Sequence, residues 1–174
     1  SHVRFALDPD DIKAGKTPPA SADVIIACDL VVASSGDALV MFDKQRTSVV
    51  ANHDVTPTKE IIENRNVRFD PDLLSARVRS RSKSFASTNA EALAEHHFGD
   101  AIYTNMIMLG MAYQNGLIPI SDTAIYEANR LNKVKVKENA AAFDLGRIAA
   151  VNPDAVQAAA PKRPEIEPLK LDEL

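Results

Sequence analysis

Asp29 and Asn52 are the polar side chains best placed for chemistry in this chain. Each closes a short apolar run, Val24-Ile25-Ile26-Ala27-Cys28 and Thr47-Ser48-Val49-Val50-Ala51. If both runs are parallel strands, the two polar groups lie on the carboxyl edge of one sheet, where open α/β sheets hold their ligands. In the plainer reading, Asp29 caps the following helix and Asn52 ends its strand, and Asp and Asn favour such positions. We favour the plainer reading. Asn105 is the third candidate, because it interrupts the most apolar helical stretch. A buried amide left without partners costs about 1–3 kcal/mol, so Asn105 either pins two elements together or faces a site.

Other candidates have weaker support. Ala14-Gly15-Lys16-Thr17 resembles the end of a phosphate loop, but Asp10 stands where the motif needs a glycine. Pro18-Pro19 then prevents the immediate helix start that the motif requires. Arg77, Arg79, Arg81 and Lys83 suit phosphate oxygens. They suit equally the last turn of a helix, where cations oppose the negative end of the dipole, and that reading is preferred. Cys28 reads as a small hydrophobe in a buried strand, with no neighbouring His or Lys to activate it. His96 and His97 are adjacent on a helix and point about 100° apart, so they do not share a metal as an i, i+4 pair does. No Ser–His–Asp set, paired carboxylate motif or Gly-rich dinucleotide loop stands out.

Composition narrows the class. The 174 residues fit one domain with a tail, and 45% hydrophobic with 25% charged residues is ordinary for a globular chain. Lys and Arg number 20 against 24 Asp and Glu, a net charge of −4, which argues against a general nucleic-acid binder. No apolar run reaches the roughly 18 residues of a membrane span. The single cysteine rules out an internal disulfide, a multi-Cys zinc site or an iron–sulfur cluster held by this chain alone. A cytoplasmic domain with no nucleic-acid or membrane partner is the expectation.

The elements that must position these residues follow from periodicity. Val24–Cys28 and Thr47–Ala51 are continuous apolar runs of the kind parallel strands show, and the residues between them suffice for a crossover helix. Leu30–Phe42 predicts that helix, weakened by Ser34-Ser35-Gly36. Ser1–Leu7 alternates like a half-buried strand, Asp8–Ser21 is loop-like, and Val67–Phe69 and Ser84–Ser87 read as further strands. Asp70-Pro71 starts a helix to about Ser82 with Leu73, Leu74 and Val78 inward. Thr88 and Glu91 have capping-box spacing for a helix that Gly99 stops. From Asp100 onward the chain reads as helical. Ala101–Gln114 is apolar on nearly all sides and should be central. Ser121-Asp122 opens a helix with Ala124, Ala128 and Leu131 inward, and Val134–Val151 makes another with Ala141, Leu145 and Ile148 inward. Pro153-Asp154 restarts a short turn of helix, and the Pro-rich, charged residues 161–174 read as a linker or tail. The fold class is α/β, a three-layer Rossmann-like domain with a mostly parallel sheet and a helical C-terminal part.

Gly99-Asp100-Ala101-Ile102-Tyr103-Thr104-Asn105-Met106, continuing through Leu109-Gly110-Met111-Ala112-Tyr113-Gln114-Asn115-Gly116-Leu117-Ile118-Pro119-Ile120-Ser121, resembles the gamma domain of 2-oxoacid:ferredoxin oxidoreductases. The long fused indolepyruvate ferredoxin oxidoreductases are the most similar branch. Ser1–Arg4, Ala22–Ala33 and Asn139–Arg147 agree with it, so the resemblance spans the chain to about residue 150. It implies an oxidoreductase that decarboxylates a 2-oxoacid oxidatively and forms an acyl-coenzyme A, with electrons leaving through iron–sulfur clusters to ferredoxin. Thiamine diphosphate supplies the reactive carbanion in such enzymes. By this resemblance the thiamine and cluster sites belong to other domains, and no cofactor, catalytic residue or metal ligand is expected here. The family's glycine-rich strand–turn–helix is missing ahead of Ser1, so residues 1–160 are expected to be a gamma-type domain incomplete at its N-terminus. The expected partners are other domains of the same enzyme, with ferredoxin and coenzyme A for the whole, in a homo-oligomer. Asp29, Asn52 and Asn105 are the interface or cleft candidates. The rival readings are a free-standing Rossmann-like module for a nucleotide or coenzyme A, and an oligomerisation domain suggested by Met106–Met111.

Overall fold

The computed structural model describes residues 8, 10, 17–53 and 70–159. The expected strands at Ser1–Leu7 and Val67–Phe69, half of the 8–21 loop and the 161–174 tail lie outside the described residues. Strands β1 (Val24–Ala27), β2 (Ser48–Asn52) and β3 (Ser84–Thr88) form a parallel sheet in that order. Val24, Ser48 and Ser84 stand in one row, and Asn52 pairs with Thr88 at the other end.

Burial explains why these runs are strands. Val49, Val50 and Ala51 are all buried, as a strand covered on both faces must be. Ile25, Ala27, Val49, Ala51 and Phe85 pack on one side against Leu30 and Ala33 of α1 (Leu30–Ala33), Leu39 of α2 (Gly36–Leu39) and Val78 of α3 (Pro71–Arg81). Ile26, Val50 and Ala86 pack on the other side against Leu93 and Ala94 of α4 (Ala90–Phe98) and Ile107, Met108 and Met111 of α5 (Thr104–Gln114). The α/β, three-layer architecture follows. β1 is less covered than expected. Among the described residues it has a neighbour on one side only, Val24–Ile26 are half-buried, and Cys28 beyond its end is exposed rather than buried.

The weak centre of the predicted 30–42 helix is a break. Ser34 ends α1, and Ser35 caps α2 by accepting the Ala38 N–H. Asp29 caps α1 by accepting the N–H groups of Val31 (2.8 Å) and Val32 (3.1 Å). Asp29→Ala is expected to lower stability by about 1 kcal/mol; chemical denaturation with an unchanged m-value measures it. On α3, Val78 is buried and Leu74 half-buried, but Leu73 is exposed.

The C-terminal part opens with a short 3-10 turn at Ala101–Tyr103 that leads into α5, followed by α6 (Asp122–Asn132), α7 (Val136–Val151) and α8 (Pro153–Ala159). α5 lies between the sheet and α7 and touches β1, β2 and α7. The predicted stripes on α6 and α7 are displaced. Ala124, Ala128 and Leu131 face solvent, and Ile125 and Asn129 point inward. Ala141 and Ile148 face solvent, Leu145 is half-buried, and Ala142, Phe143, Gly146 and Ala149 are buried.

The cause is backbone contact between α5 and α7. A Cβ on Gly110 would stand 1.9 Å from the Phe143 carbonyl oxygen, and one on Gly146 would stand 1.9 Å from that of Ile107. The side of α7 that meets α5 is therefore its small-residue side. A hydrophobicity pattern ranks glycine and alanine below leucine and isoleucine, and so points to the wrong stripe.

Candidate functional site

Asn52 holds the carboxyl edge of the sheet together. Its amide nitrogen donates to the Cys28 carbonyl at the end of β1 (3.4 Å), and its Oδ1 accepts the Ala90 N–H at the start of α4 (3.0 Å). It therefore links all three strand ends. This also corrects the expected capping box. Thr88 stays in the ladder opposite Asn52, Asn89 at the cap makes no side-chain bond, and the first N–H of α4 is met from the neighbouring strand. The Thr88 hydroxyl is buried beside this corner and has no hydrogen-bond partner among the described residues.

Asp29 and Asn52 thus lie at the same edge, each with its own backbone partners and no hydrogen bond between them. Asn105 does not join them. It lies on the exposed side of α5, not among its buried residues, and shares no hydrogen bond with either. Local hydrophobicity around Asn105 masked the one side of α5 that reaches water. Although Cys28 is exposed, partial desolvation by the atoms around it pushes its thiol up, so it holds its proton more firmly than an ordinary cysteine. His53, just past β2, lies 3.2 Å from the Ser75 hydroxyl and 3.6 Å from Asp72. This is a Ser, His and Asp brought together by folding. Ser75 is buried on the inner side of α3, however, so its hydroxyl ties that helix to β2 and offers no open path to a substrate. Exposed His96 and His97 meet edge to face at 4.8 Å, and desolvation and then His96 lower the His97 pKa.

The second polar centre was not singled out from sequence. Arg147 of α7 donates through Nε to Gln114 (3.1 Å) and through Nη1 to the Tyr126 hydroxyl (3.4 Å). It also lies 3.6 Å from Asp144 and 3.8 Å from Asp122. The Tyr126 hydroxyl donates to Asp144 at 2.5 Å, and the Tyr113 hydroxyl accepts the Asp122 N–H. The guanidinium sits 5.3 Å from the centre of the Tyr113 ring. Two open grooves of about 550 and 470 Å³ flank the Arg147–Gln114 bond, one under the Gly116–Ser121 turn and the other beside Ile148 and Val151. With two carboxylates and two neutral acceptors around it, Arg147 is a hub joining α5, α6 and α7, not an open anion receptor. The only sequence signal was that Arg147 and Gln114 both fall within stretches that carry the resemblance.

The Tyr126 phenol is pushed up first by its bond to Asp144, then by desolvation, and the Arg147 bond opposes this in part. A phenol raised in the folded state contributes stability that is full below the ordinary tyrosine range, near pH 10, and is lost as pH rises through the folded value. Tyr126→Phe is expected to cost about 1 kcal/mol at neutral pH, at the modest end because the bond is only part-buried. The gap between parent and variant should close in denaturation curves taken above about pH 10. A gap that stays constant with pH would show that the phenol proton is not what matters.

The described residues define a Rossmann-like α/β domain in which a helical C-terminal part covers one face of a parallel sheet. The chain belongs to the pyruvate ferredoxin/flavodoxin oxidoreductase family, whose model matches residues 1–149. It is accordingly a domain of a 2-oxoacid:ferredoxin oxidoreductase. No curated protein and no solved structure matches the chain.

The family implies thiamine diphosphate and iron–sulfur clusters as cofactors, and ferredoxin and other domains of the same enzyme as partners. The described residues present no ligand set for an iron–sulfur cluster. The one cysteine is solitary, and among the described residues no three His, Cys, Asp or Glu side chains gather as ligands for a cluster or for the metal of a diphosphate. No helix among the described residues is long and apolar enough to cross a membrane.

Proposed function

We propose that residues 1–160 form the gamma-type domain of an arylpyruvate, specifically indolepyruvate, ferredoxin oxidoreductase, and that residues 161–174 lead into the next domain. The domain is accessory in this reading. It packs beside the thiamine-binding domains, helps wall off the active site or the coenzyme A channel, and is inert alone. The whole enzyme, cytoplasmic and homo-oligomeric, converts a 2-oxoacid and coenzyme A to an acyl-coenzyme A and carbon dioxide, passing two electrons to ferredoxin. The observation that carries this reading is the α5–α7 crossing. Two of the stretches that carry the resemblance, Gly99–Ser121 and Asn139–Arg147, meet there backbone to backbone and share the Arg147 hub.

The test is 2-oxoacid-dependent reduction of a dye acceptor. The complete enzyme should reduce the dye with indolepyruvate in preference to pyruvate, and the isolated 174 residues should not reduce it. Turnover by the isolated chain, or preference for pyruvate by the complete enzyme, defeats the reading.

A second reading, a nucleotide or coenzyme A module, rests on the parallel strand–helix–strand unit from β1 to β2, since the carboxyl edge of such a sheet is where ligands are held. Calorimetric titration with coenzyme A and with NAD distinguishes it; no heat with either rules it out.

A further inference from the structure

The amino edge of the sheet carries charge opposite in sign to that of the chain. Lys83 immediately precedes β3, and its N–H bonds to the Thr47 carbonyl just ahead of β2. That bond places Lys83 next to the 43–47 turn, which presents Lys44 and Arg46. The end of α3 reaches the same edge with Arg81 and, one turn back on the same side, Arg77. Arg79 lies 4.9 Å over the Phe85 ring. All these cations are exposed. Among the described residues only Arg46 of this group has a carboxylate within 4 Å, Asp23 at 3.7 Å. The Asp43 carboxylate in the same turn accepts the Gln45 N–H. Six cations against the nearby Asp23 and Asp43 carboxylates, on a chain of net charge −4, make a surface whose field has a direction.

We propose that this edge, with Arg77, Arg81 and Lys83 at its centre, is a docking surface for an acidic protein surface. Two features favour a protein over a phosphate ligand or a nucleic acid. The cations are spread over a turn, a strand start and a helix end, and that helix end offers carbonyl oxygens, not the N–H groups that cradle phosphate. A long polyanion would also meet the negative remainder of the chain. An acidic patch of limited size feels mainly the charges within about 8 Å, the screening length at physiological salt. Such a surface sets orientation and association rate more than final affinity.

The test uses the intact protein with a short labelled oligoglutamate peptide as the acidic-patch probe, inorganic polyphosphate as the competing chemistry, and fluorescence anisotropy as the readout. The oligoglutamate should bind at low salt and weaken steeply as salt is added. Arg77→Glu/Arg81→Glu/Lys83→Glu should weaken it at least tenfold. Lys137→Glu, an exposed cation on α7, should leave it unchanged, and circular dichroism should report both proteins folded. No binding, equal binding by the triple variant, or a loss confined to polyphosphate overturns the proposal. The readout does not depend on 2-oxoacid turnover, so its failure is distinct from failure of the proposed function.

Discussion

Gly146→Ala is expected to be the most damaging single-methyl change in this domain. In an isolated helix the substitution would help by about 1 kcal/mol, because alanine loses less backbone freedom than glycine. Here the new methyl would stand 1.9 Å from the Ile107 carbonyl oxygen, which is backbone and has no rotamer to change. α7 must then move off α5, and contacts around Ile107, Met111, Ala142 and Phe143 open along the crossing. Overpacking typically costs about 1–3 kcal/mol, and rigid backbone on both sides puts this case at the upper end, a net loss of about 3 kcal/mol. The melting temperature should fall by about 6–12 °C at this chain length. Gly110→Ala meets the Phe143 carbonyl at the same distance and should behave alike. The double variant should cost clearly less than the sum, because helices already pushed apart by one methyl accommodate the second. Full stability in either single variant would show that the two backbones are not in contact.

Asn52→Ala is the second large effect. It removes the bond to the Cys28 carbonyl and leaves the Ala90 N–H, in a buried position, without its acceptor. An orphaned buried donor costs about 1–3 kcal/mol, and the missing side-chain volume adds to that, so about 3 kcal/mol is expected. Asn52→Asp separates the two roles. It keeps an acceptor for Ala90 at the positive end of α4 but loses the donor to Cys28. Its stability should fall between parent and Asn52→Ala. Hydrogen exchange at the Ala90 amide should quicken in Asn52→Ala and stay slow in Asn52→Asp. Equal exchange in all three proteins would show that the Ala90 amide does not depend on residue 52.

The same two positions show how far the sequence could be read. Asn52 at the end of a strand was visible from the run Ser48–Ala51, because a strand buried on both faces is continuous in sequence. Its bond to Ala90 was not, since 38 residues separate the two. The capping-box spacing of Thr88 and Glu91 suggested a local solution, and the strand pairing of Thr88 with Asn52 overrode it. Asn105 misled for a related reason. Its neighbours are apolar, yet α5 covers the sheet on one side and α7 on another, and Asn105 lies on the side left to water. Arg147 was hidden because its partners come from three helices, and only its place in a family-like stretch marked it.

By itself the sequence determined the local states: apolar runs that become parallel strands, the break at Ser34-Ser35, the caps at Asp29, Asp70 and Ser121, and the stop at Gly99. These depend on residues within a few positions of one another, where sterics and backbone hydrogen bonding act. Tertiary structure alone decided which side of α6 and α7 is inside, which helix start Asn52 serves and which charges surround Arg147. The first of these, for α7, depends on how closely two backbones approach at Gly110 and Gly146, and the others on partners far apart in sequence, and no local pattern records either.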